Sequence, residues 1–524
     1  MPPTLTYPGV YIEELPSGVH TITGVATSIA AFVGWAPQGS VTKAVMVESW
    51  SDFAREFGGL SSGSYLGYAV NQFFANGGQQ AYIVRLVANA TDTPTATIFA
   101  ATAKGIVSTL TLFATSPGQW GNNLLITVMP STLDPTRFSV QVQLVSGAQK
   151  ITVENFANLS VSPTDPQYVV NVIDNESDYI TFLDPTISLP PPPPPPALPG
   201  ATASANLGTS TVGRDGDVLV PVAPGGNFEL ALLPLTGQGG IYLLDNVDIF
   251  NLLCVPAETD EATVKALQTY CKGKRAFYIV DPPKLTKIAN LTASGPVGAA
   301  GLSVIGPDAE YAAFYFPWVS APDPLASNRP NLFPPCGFVA GVYASTDSSR
   351  GVWKAPAGVD ASLTGEMGLQ YVLSDLQNGD LNIKAINCLR EFKVYGDVVW
   401  GARTLAGDNQ AGSQWKYVPI RRLALFLESS LYNGTQWVVF EPNDERLWGQ
   451  IRMNVGTFMQ GLFLQGAFQG TSPQQAYFVK CDAENNPQSS IDMGIVNVLV
   501  GFAPLYPAEF VVIQIQQIAG QLQA

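Results

Sequence analysis

Glycine and proline interrupt this chain so often that only short regular elements can form between them. Of its 524 residues, 49 are glycine and 41 are proline, and only 13% are charged, against roughly 25% in an average globular domain. A hydrophobic content of 46% is nevertheless high enough to build packed cores. At about one domain per 150 residues, the sequence therefore predicts a weakly charged, segmented globular chain of roughly two to four domains.

The charged and nucleophilic residues offer little material for an active site. The net charge is −15, so a nucleic-acid-binding chain, which needs a basic surface, is disfavoured. His20 is the only histidine, and the five cysteines show no CxxC spacing, so we expect no metal site, no cofactor and no histidine-based catalysis. A phosphate-binding GxxxxGK[ST] loop and a GxGxxG fingerprint are also missing from the sequence. We therefore expect no catalytic residues.

The sequence carries no signal for export or for a membrane anchor. The opening residues, MPPTLTYPGVYIEEL, lack a basic segment followed by an apolar one, and no uninterrupted apolar run reaches the ~18 to 20 residues of a membrane helix. An odd number of cysteines fits folding in a reducing compartment. We therefore expect assembly in the cytoplasm and no direct membrane insertion.

Changes in composition and in the periodicity of apolar residues along the chain predict four segments. We expect an N-terminal arm over residues 1–22, an inserted β domain over residues 89–234 and a C-terminal arm over residues 503–524. The remaining residues, 23–88 and 235–502, are expected to form one discontinuous core. The predicted fold class is therefore an α/β (α+β) core built from both halves of the chain, with an inserted all-β domain and extended terminal arms.

The periodicity of the apolar residues separates the core from the insert. Asp248–Val255, Asp260–Lys272 and Ala276–Val280 have the pattern of strand, helix and strand, which predicts a βαβ unit with Thr259 as the N-cap of its helix. In the insert, apolar and polar residues alternate with period two from Phe138 to Leu144, which indicates a half-buried strand.

Further elements are predicted in the second half of the chain. Helices are expected at Arg421–Tyr432 and Glu445–Leu464, where apolar residues recur at helical spacing. Strands are expected at Trp437–Phe440 and Tyr477–Lys480, where short apolar and aromatic runs occur. Together these elements predict that the α/β pattern continues toward the C-terminal arm.

Seven consecutive prolines, Pro190–Pro196, lie inside the predicted insert. Because proline offers no backbone donor, this run is expected to be an exposed polyproline II segment. A stiff surface spacer is the favoured interpretation, and a ligand for a proline-binding domain is the alternative.

Both ends of the chain carry strand-like residues with no partner strand nearby in the sequence. A lone strand cannot pair its own backbone groups, so addition to the sheet of a neighbouring copy is the natural solution. The candidates for such strand addition are Tyr11, Ile12 and Glu13 in one arm and Phe510, Val512 and Ile513 in the other.

Several aromatic and polar strings carry a resemblance to a known family. They include Tyr7–Glu14, Phe73–Gly78, Gly337–Tyr343, Gly351–Ala357, Tyr417–Arg422, Phe440–Asn443 and Pro507–Phe510. In order and spacing, these strings resemble contractile tail sheath proteins, which occur in phage tails and contractile injection systems. The resemblance covers residues 1–88 and about 300–518, and it reaches only the first strand of the insert.

The resemblance implies a structural subunit without catalytic residues. Such a subunit stacks in hexameric rings around an inner tube, polymerises from a baseplate and contracts to drive the tube through a target envelope. The implied partners are further copies of the chain, the inner tube protein, the baseplate, and cap or terminator proteins. The particle would be a phage virion, a free extracellular injection device or a membrane-tethered one, and the sequence leaves open release by lysis and retention inside the cell. The alternatives are an α/β enzyme with a β accessory domain, or a monomeric surface adhesin.

Basic residues are concentrated in one part of the chain. Residues 384–452 hold nine of the 26 Lys and Arg side chains and a net charge of +2. One hypothesis is a face that contacts an acidic inner tube or a neighbouring subunit. The candidates are Arg421, Arg422, Arg446 and Arg452. The alternative is a solvated helix face with local ion pairs, and the apolar residues that flank Arg403 and Arg422 also fit buried structural roles.

Overall fold

The computed structural model describes residues 20–187, 191–221 and 226–514. The chain divides into two compact units, which we call the sheet unit and the C-terminal unit. The sheet unit comprises Ala26–Arg350 and Ala355–Arg421, and the C-terminal unit comprises Met1–Val25, Gly351–Lys354 and Arg422–Ala524. The boundary between Arg421 and Arg422 falls inside the segment predicted as one core. The predicted limits of the insert and of the two arms stay predictions.

The strands are short, as the density of glycine and proline requires. Numbered in chain order, they are β1 (Ala30–Trp35), β2 (Val45–Val47), β3 (Ala81–Leu86), β4 (Lys104–Val107), β5 (Leu110–Ala114), β6 (Leu124–Pro130), β7 (Phe138–Ser146), β8 (Gln149–Leu159), β9 (Ile180–Thr181), β10 (Ala203–Asn206), β11 (Leu252–Cys254), β12 (Phe277–Val280), β13 (Ala312–Phe316), β14 (Val319–Asp323), β15 (Arg329–Phe333), β16 (Gly368–Leu369), β17 (Ile386–Phe392), β18 (Gly396–Val399), β19 (Tyr477–Lys480) and β20 (Leu499–Phe502).

The helices are more variable in length. They are α1 (Trp50–Phe57), α2 (Leu66–Ala75), α3 (Val169–Glu176), α4 (Asn227–Leu232), α5 (Glu261–Lys274), α6 (Ile288–Ser294), α7 (Cys336–Arg350), α8 (Asp375–Asn382), α9 (Val418–Gly434), α10 (Glu445–Leu464), α11 (Pro473–Ala476) and α12 (Gln488–Asp492). Short 3₁₀ helices lie at Gln119–Asn123, Gly240–Asn246, Ala309–Tyr311, Pro324–Ala326 and Gln436–Val438.

An eight-stranded sheet forms the centre of the sheet unit, in the order β18-β17-β13-β12-β11-β1-β3-β2. The inner strands pair in parallel, for example Ala30 with Leu252 and Phe314 with Ile386, while the two outermost pairs are antiparallel. All residues of β1 and β13 are buried, which suits the continuous apolar runs that parallel strands covered on both faces require. The predicted mixed α/β fold class is confirmed.

Helices α2 and α7 pack so closely that there is no room for a side chain at two glycines of α7. A Cβ added at Gly337 would lie 2.4 Å from the carbonyl oxygen of Ala69, and one added at Gly341 would lie 2.4 Å from the Cβ of Asn76. Any side chain at these two glycines would push the helices apart. The α2 helix lies within the stretch that its apolar spacing indicates, and Asn76 caps it.

The predicted βαβ unit is present, with a different cap. Strands β11 and β12 pair in parallel on either side of α5. The N-cap of α5 is Asp260, whose Oδ2 accepts hydrogen bonds from the backbone N–H and the hydroxyl of Thr263, both at 2.9 Å. The prediction of Thr259 was wrong by one residue, because Asp and Thr can both cap a helix and only the local backbone decides between them.

The buried side chain of Arg85 forms hydrogen bonds with the loop that follows β1. The Arg85 guanidinium donates to the backbone carbonyls of Ala36, Pro37, Gly39 and Pro117 at 2.7 to 2.9 Å. Burial lowers the pKa of Arg85 to about 9. This side chain therefore supplies donors to carbonyl groups that lie away from water.

Within residues 89–234, two further sheets are formed, with the orders β10-β6-β7-β8 and β4-β5-β9. The predicted alternation in β7 is present, since Phe138, Val140 and Val142 are buried. Helices α3 and α4 also lie in this region, so the prediction of an insert without helices missed both of them. Helix α3 buries Val169 and Ile173, and its four buried residues follow helical spacing, but the run is only eight residues long.

Pro191–Pro196 have no regular hydrogen-bonded structure and are largely exposed. Pro190 lies outside the described residues.

The core of the C-terminal unit is built on one face of α10. Trp448, Ile451, Val455, Met459 and Leu462 are buried at helical spacing and belong to a single hydrophobic cluster. The bounds predicted for this helix are those observed. The predicted strand at Trp437–Phe440 is wrong, because the chain there forms a 3₁₀ turn that ends with a positive φ of 71° at Phe440.

Candidate assembly surfaces

A small sheet in the C-terminal unit has only two strands. Strands β19 and β20 pair antiparallel from Tyr477 opposite Phe502 to Lys480 opposite Leu499. Within the described part of the chain, neither strand has a second neighbour. Each strand therefore offers an open edge of backbone donors and acceptors, and isolated two-stranded sheets are only marginally stable in water.

Three asparagines hold the long connection between these two strands. Asn485 Nδ2 donates to the carbonyl oxygens of Lys480 (3.1 Å) and Asn497 (2.8 Å), and Asn486 Oδ1 accepts from the Asn497 backbone N–H at 2.6 Å. Asn486 is almost fully buried. These side chains close the loop over residues 481–498 and fix the register of β19 against β20.

The described chain that leaves β20 has no regular secondary structure and is rich in apolar residues. The backbone N–H of Ala503 donates to the carbonyl oxygen of Ala476 at 2.8 Å, and beyond it the described chain forms no further strand. Phe510, Val511, Val512 and Ile513 are 74 to 81% exposed. Four consecutive apolar residues that lie open to solvent mark an interaction segment, because each would gain about 1.5–3 kcal/mol on burial.

The sequence-predicted arm residues are only partly described. Phe510, Val512 and Ile513 lie in this exposed segment, which we call the C-terminal segment (residues 505–514). Tyr11, Ile12 and Glu13 lie outside the described residues. Strand addition by either arm stays a prediction.

Two of the four candidate basic residues are buried in this chain. Arg421 and Arg422 are each 3% exposed. The guanidinium carbon of Arg421 lies 4.6 Å from the ring centroid of Tyr311 and 4.3 Å from that of Trp415. The structure therefore corrects the prediction of an exposed face for these two arginines, which are buried within the chain. For Arg421 the physical reason is that the two rings provide a favourable place for a large, weakly hydrated cation.

The other two basic candidates lie on α10. Arg446 is exposed, and Arg452 is partly exposed and forms an ion pair with Glu445 at 2.6 Å. Its guanidinium also donates to the carbonyl oxygen of Cys481. The hydrogen bond to Glu445 raises the pKa of Arg452. For Arg446 and Arg452, contact with a tube or a neighbouring subunit stays a prediction.

The candidate catalytic groups occupy structural positions. The ring of His20 stacks on that of Trp437, with centroids 4.2 Å apart. All five cysteines are buried as free thiols, and burial raises the pKa of Cys388 to about 12. Thiols in this state are poor nucleophiles. In the described ranges, no group of three or more His, Cys, Asp or Glu side chains is placed to hold a metal ion.

The described helices include none that is both long and apolar enough to cross a membrane.

Comparison with known proteins identifies related sequences and folds. The chain is 26% identical over 278 residues to a protein named as a prophage major tail sheath protein of Pseudomonas aeruginosa (strain UCBPP-PA14). The match covers 51% of this chain and 66% of that protein, just under two thirds.

Two solved structures share the fold along almost the whole chain. One is the PVC sheath complex of an extracellular contractile injection system in the contracted state, with a TM-score of 0.58, 23% identity and 98% of both chains covered. The other is the anti-feeding prophage helical sheath in the contracted state, with a TM-score of 0.58, 22% identity, and 98% of this chain and 100% of that chain covered.

Two family domains match consecutive stretches of the sequence. Residues 243–405 match the phage tail sheath protein central domain, and residues 410–518 match the phage tail sheath C-terminal domain. Together these matches cover just over half of the chain. The chain therefore belongs to the phage tail sheath protein family.

Proposed function

We propose that this chain is the structural subunit of a contractile sheath. It stacks as hexameric rings around an inner tube, polymerises from a baseplate and ends at cap or terminator proteins. The sheath then contracts and drives the tube through a target envelope. Family membership and the fold shared with two contracted sheaths support this function. The subunit is assembled in the cytoplasm and becomes part of a phage virion or an injection particle.

One observation carries the proposal: the C-terminal unit has both an open sheet and an exposed apolar segment without regular secondary structure. Within the described residues, strands β19 and β20 offer unpaired edges, and the C-terminal segment offers exposed apolar side chains. In one copy these features leave backbone groups and apolar surface open to water. Pairing of the segment from one copy with the sheet of another covers both, and each added hydrogen bond contributes about 0.5–1.5 kcal/mol.

Links of this kind also suit a sheath that changes length. A strand in a neighbour's sheet keeps its backbone bonds when the rigid bodies rotate, because the chain on either side of it absorbs the change. Pro504 lies between β20 and the C-terminal segment, where such a change of direction is expected. Copies would then remain joined while the rings approach one another.

Electron microscopy of the expressed protein tests the function. Striated cylinders or tubes are expected, alone or with the tube protein present. Discrete monomers under both conditions would contradict the proposal. Deletion of residues 1–14 should prevent tube formation and leave the folded core, as judged by circular dichroism and calorimetry, because the sequence predicts that the N-terminal arm supplies a second link between copies. Tubes that persist after this deletion would remove the N-terminal arm from the mechanism.

Proline substitutions test strand addition by the C-terminal segment. Proline removes one N–H, and successive residues of a strand direct their N–H groups to opposite sides. At least one of Val511→Pro and Val512→Pro should therefore reduce the pelleted tube fraction by at least about tenfold, which a loss of about 1.4 kcal/mol per copy produces. Val512→Ala keeps the N–H and is the matched control. Normal tubes from both proline variants would refute strand pairing at this segment.

A further inference from the structure

A cavity in the C-terminal unit lies beside residues 21–24. Its volume is about 420 Å³, and Ile22, Gly24, Phe426, Phe458 and Leu462 form much of its wall. None of its lining residues is charged. We call it the Phe458 groove. Its size lies within the ~300–1,000 Å³ range of sites that bind small ligands or single anchoring side chains.

A buried amide in the wall of this groove has no partner. Asn454 is 3% exposed, and among the described residues neither its Oδ1 nor its Nδ2 has a hydrogen-bond partner. It stands on the same face of α10 as Phe458 and Gly461, four and seven residues further along the helix. A buried amide without partners costs about 1–3 kcal/mol, so the groove lacks a group that both donates and accepts.

An aromatic side chain elsewhere in the same unit is exposed at an energetic cost. Phe440 is fully exposed, and its φ of 71° lies in the left-handed region that bulky residues avoid. Its neighbour Val439 is also exposed. In the described chain, the backbone N–H and C=O of Phe440 make no hydrogen bond. A strained and unburied phenylalanine with free backbone groups has the properties of an anchor for a partner.

We propose that Phe440 of one copy inserts into the Phe458 groove of a second copy. The proposal rests on the proposed function, because it specifies one contact between sheath subunits. The groove supplies apolar walls and an unpaired amide, and the Phe440 loop supplies an uncharged aromatic ring together with one free donor and one free acceptor. A side chain on one surface that enters a groove on another makes a head-to-tail contact, which generates open helical polymers or rings.

Cross-linking between differently tagged copies tests the contact directly. One copy carries Val439→Cys, which keeps the Phe440 ring, and the other carries Gln465→Cys at the exposed rim of the groove. The five native cysteines are buried, so a short bismaleimide should join only the introduced thiols. A dimer that carries both tags is expected. Val439→Cys paired with Leu133→Cys, an exposed position in the insert, is the control and should give no such dimer.

Filling the groove tests the same contact without touching Phe440. A Cβ added at Gly461 meets no atom within 4 Å, so Gly461→Leu occupies the groove without straining its own helix. Gly456 has the same open surroundings on α10 and does not line the groove, which makes Gly456→Leu the matched control. Gly461→Leu and Phe440→Ala should each raise the critical concentration for tube assembly at least about tenfold. Gly456→Leu should change it less than about twofold.

The double variant Phe440→Ala with Gly461→Leu should be no worse than either single variant, because both remove one contact. The contact is refuted if the wild-type protein forms tubes but gives no mixed dimer, and if Phe440→Ala assembles at the same critical concentration as the wild type. That outcome leaves the proposed sheath function intact. If the wild-type protein forms no tubes, the sheath function fails instead. Cross-linking in concentrated protein then still decides the contact, since the absence of a mixed dimer there refutes it.

Discussion

Glu258 is a buried carboxyl group whose ionisation works against folding. It lies in the loop between β11 and α5, is fully buried, and accepts a hydrogen bond at Oε1 from the backbone N–H of Asp260 at 2.6 Å. Its Oε2 has no hydrogen-bond partner in the part of the chain that the structure describes. Burial, and to a smaller degree the negative charge of Glu229, raises the pKa of Glu258 from 4.5 to about 8. Glu258→Gln keeps the shape and the acceptor and removes the ionisation.

The expected effect follows from the two pKa values. Between about pH 4.5 and pH 8 the folded chain holds a proton on Glu258 that the unfolded chain has released, so the free energy of unfolding falls as the pH rises. At 1.36 kcal/mol per pH unit, this loss is about 3 kcal/mol at pH 6.5 and about 5 kcal/mol at pH 8 and above. Glu258→Gln does not ionise, so its advantage over the wild type should grow from near zero at pH 4.5 to these values.

Urea denaturation of the unassembled chain at pH 4.5, 6.5 and 8.5 measures this difference. The transition that includes the eight-stranded sheet should shift to higher urea in Glu258→Gln, and the shift should increase with pH. Glu176→Gln changes an exposed carboxylate on α3 and should move the free energy of unfolding by less than about 0.5 kcal/mol at every pH. A Glu258→Gln shift equal at pH 4.5 and pH 8.5 would refute the reasoning.

Two other buried charged side chains, Arg85 and Asp397, also give testable predictions for the stability of the fold. Arg85→Met removes the donors to four backbone carbonyls and should lower the free energy of unfolding by at least about 3 kcal/mol in urea titrations, whereas Arg214→Met, at an exposed site, should leave the midpoint in place. Asp397 lies directly opposite Glu391 across β17 and β18, and burial together with nearby carboxylates raises its pKa to about 6. Asp397→Asn should therefore raise the thermal midpoint at pH 7.5 and leave it unchanged at pH 3.5, and an equal change at both would contradict this cause.

The parts of the fold that local patterns encode were predictable. The βαβ unit around α5 and the helix Glu445–Leu464 have apolar residues at regular spacing, and both are present. Helix α7 was not predicted, because nearly all of its first nine residues are apolar or glycine and are buried on every side, which leaves no period to detect. The strand predicted at Trp437–Phe440 is not present, because its aromatic and β-branched residues favour strands only in the absence of tertiary contacts, and the chain forms a 3₁₀ helix at Gln436–Val438.

The candidate assembly surfaces were predictable only where a strand-like run has no partner strand nearby in the sequence. The C-terminal segment could be located because it contains an apolar, strand-like run with no partner strand nearby in the sequence. Burial of Arg421 could not, because the rings of Tyr311 and Trp415 approach it from other elements. The Phe458 groove and its unpaired Asn454 arise from helix packing, and no sequence pattern records where two helices leave a gap.

The burial of all five thiols has a consequence for a lattice of many identical copies. Cys254, Cys271, Cys336, Cys388 and Cys481 are inaccessible in the single subunit, before any neighbour covers it. A disulfide between copies needs two accessible thiols, so oxidation cannot join neighbouring subunits covalently. Contacts between copies therefore stay free of disulfide cross-links even outside a reducing compartment.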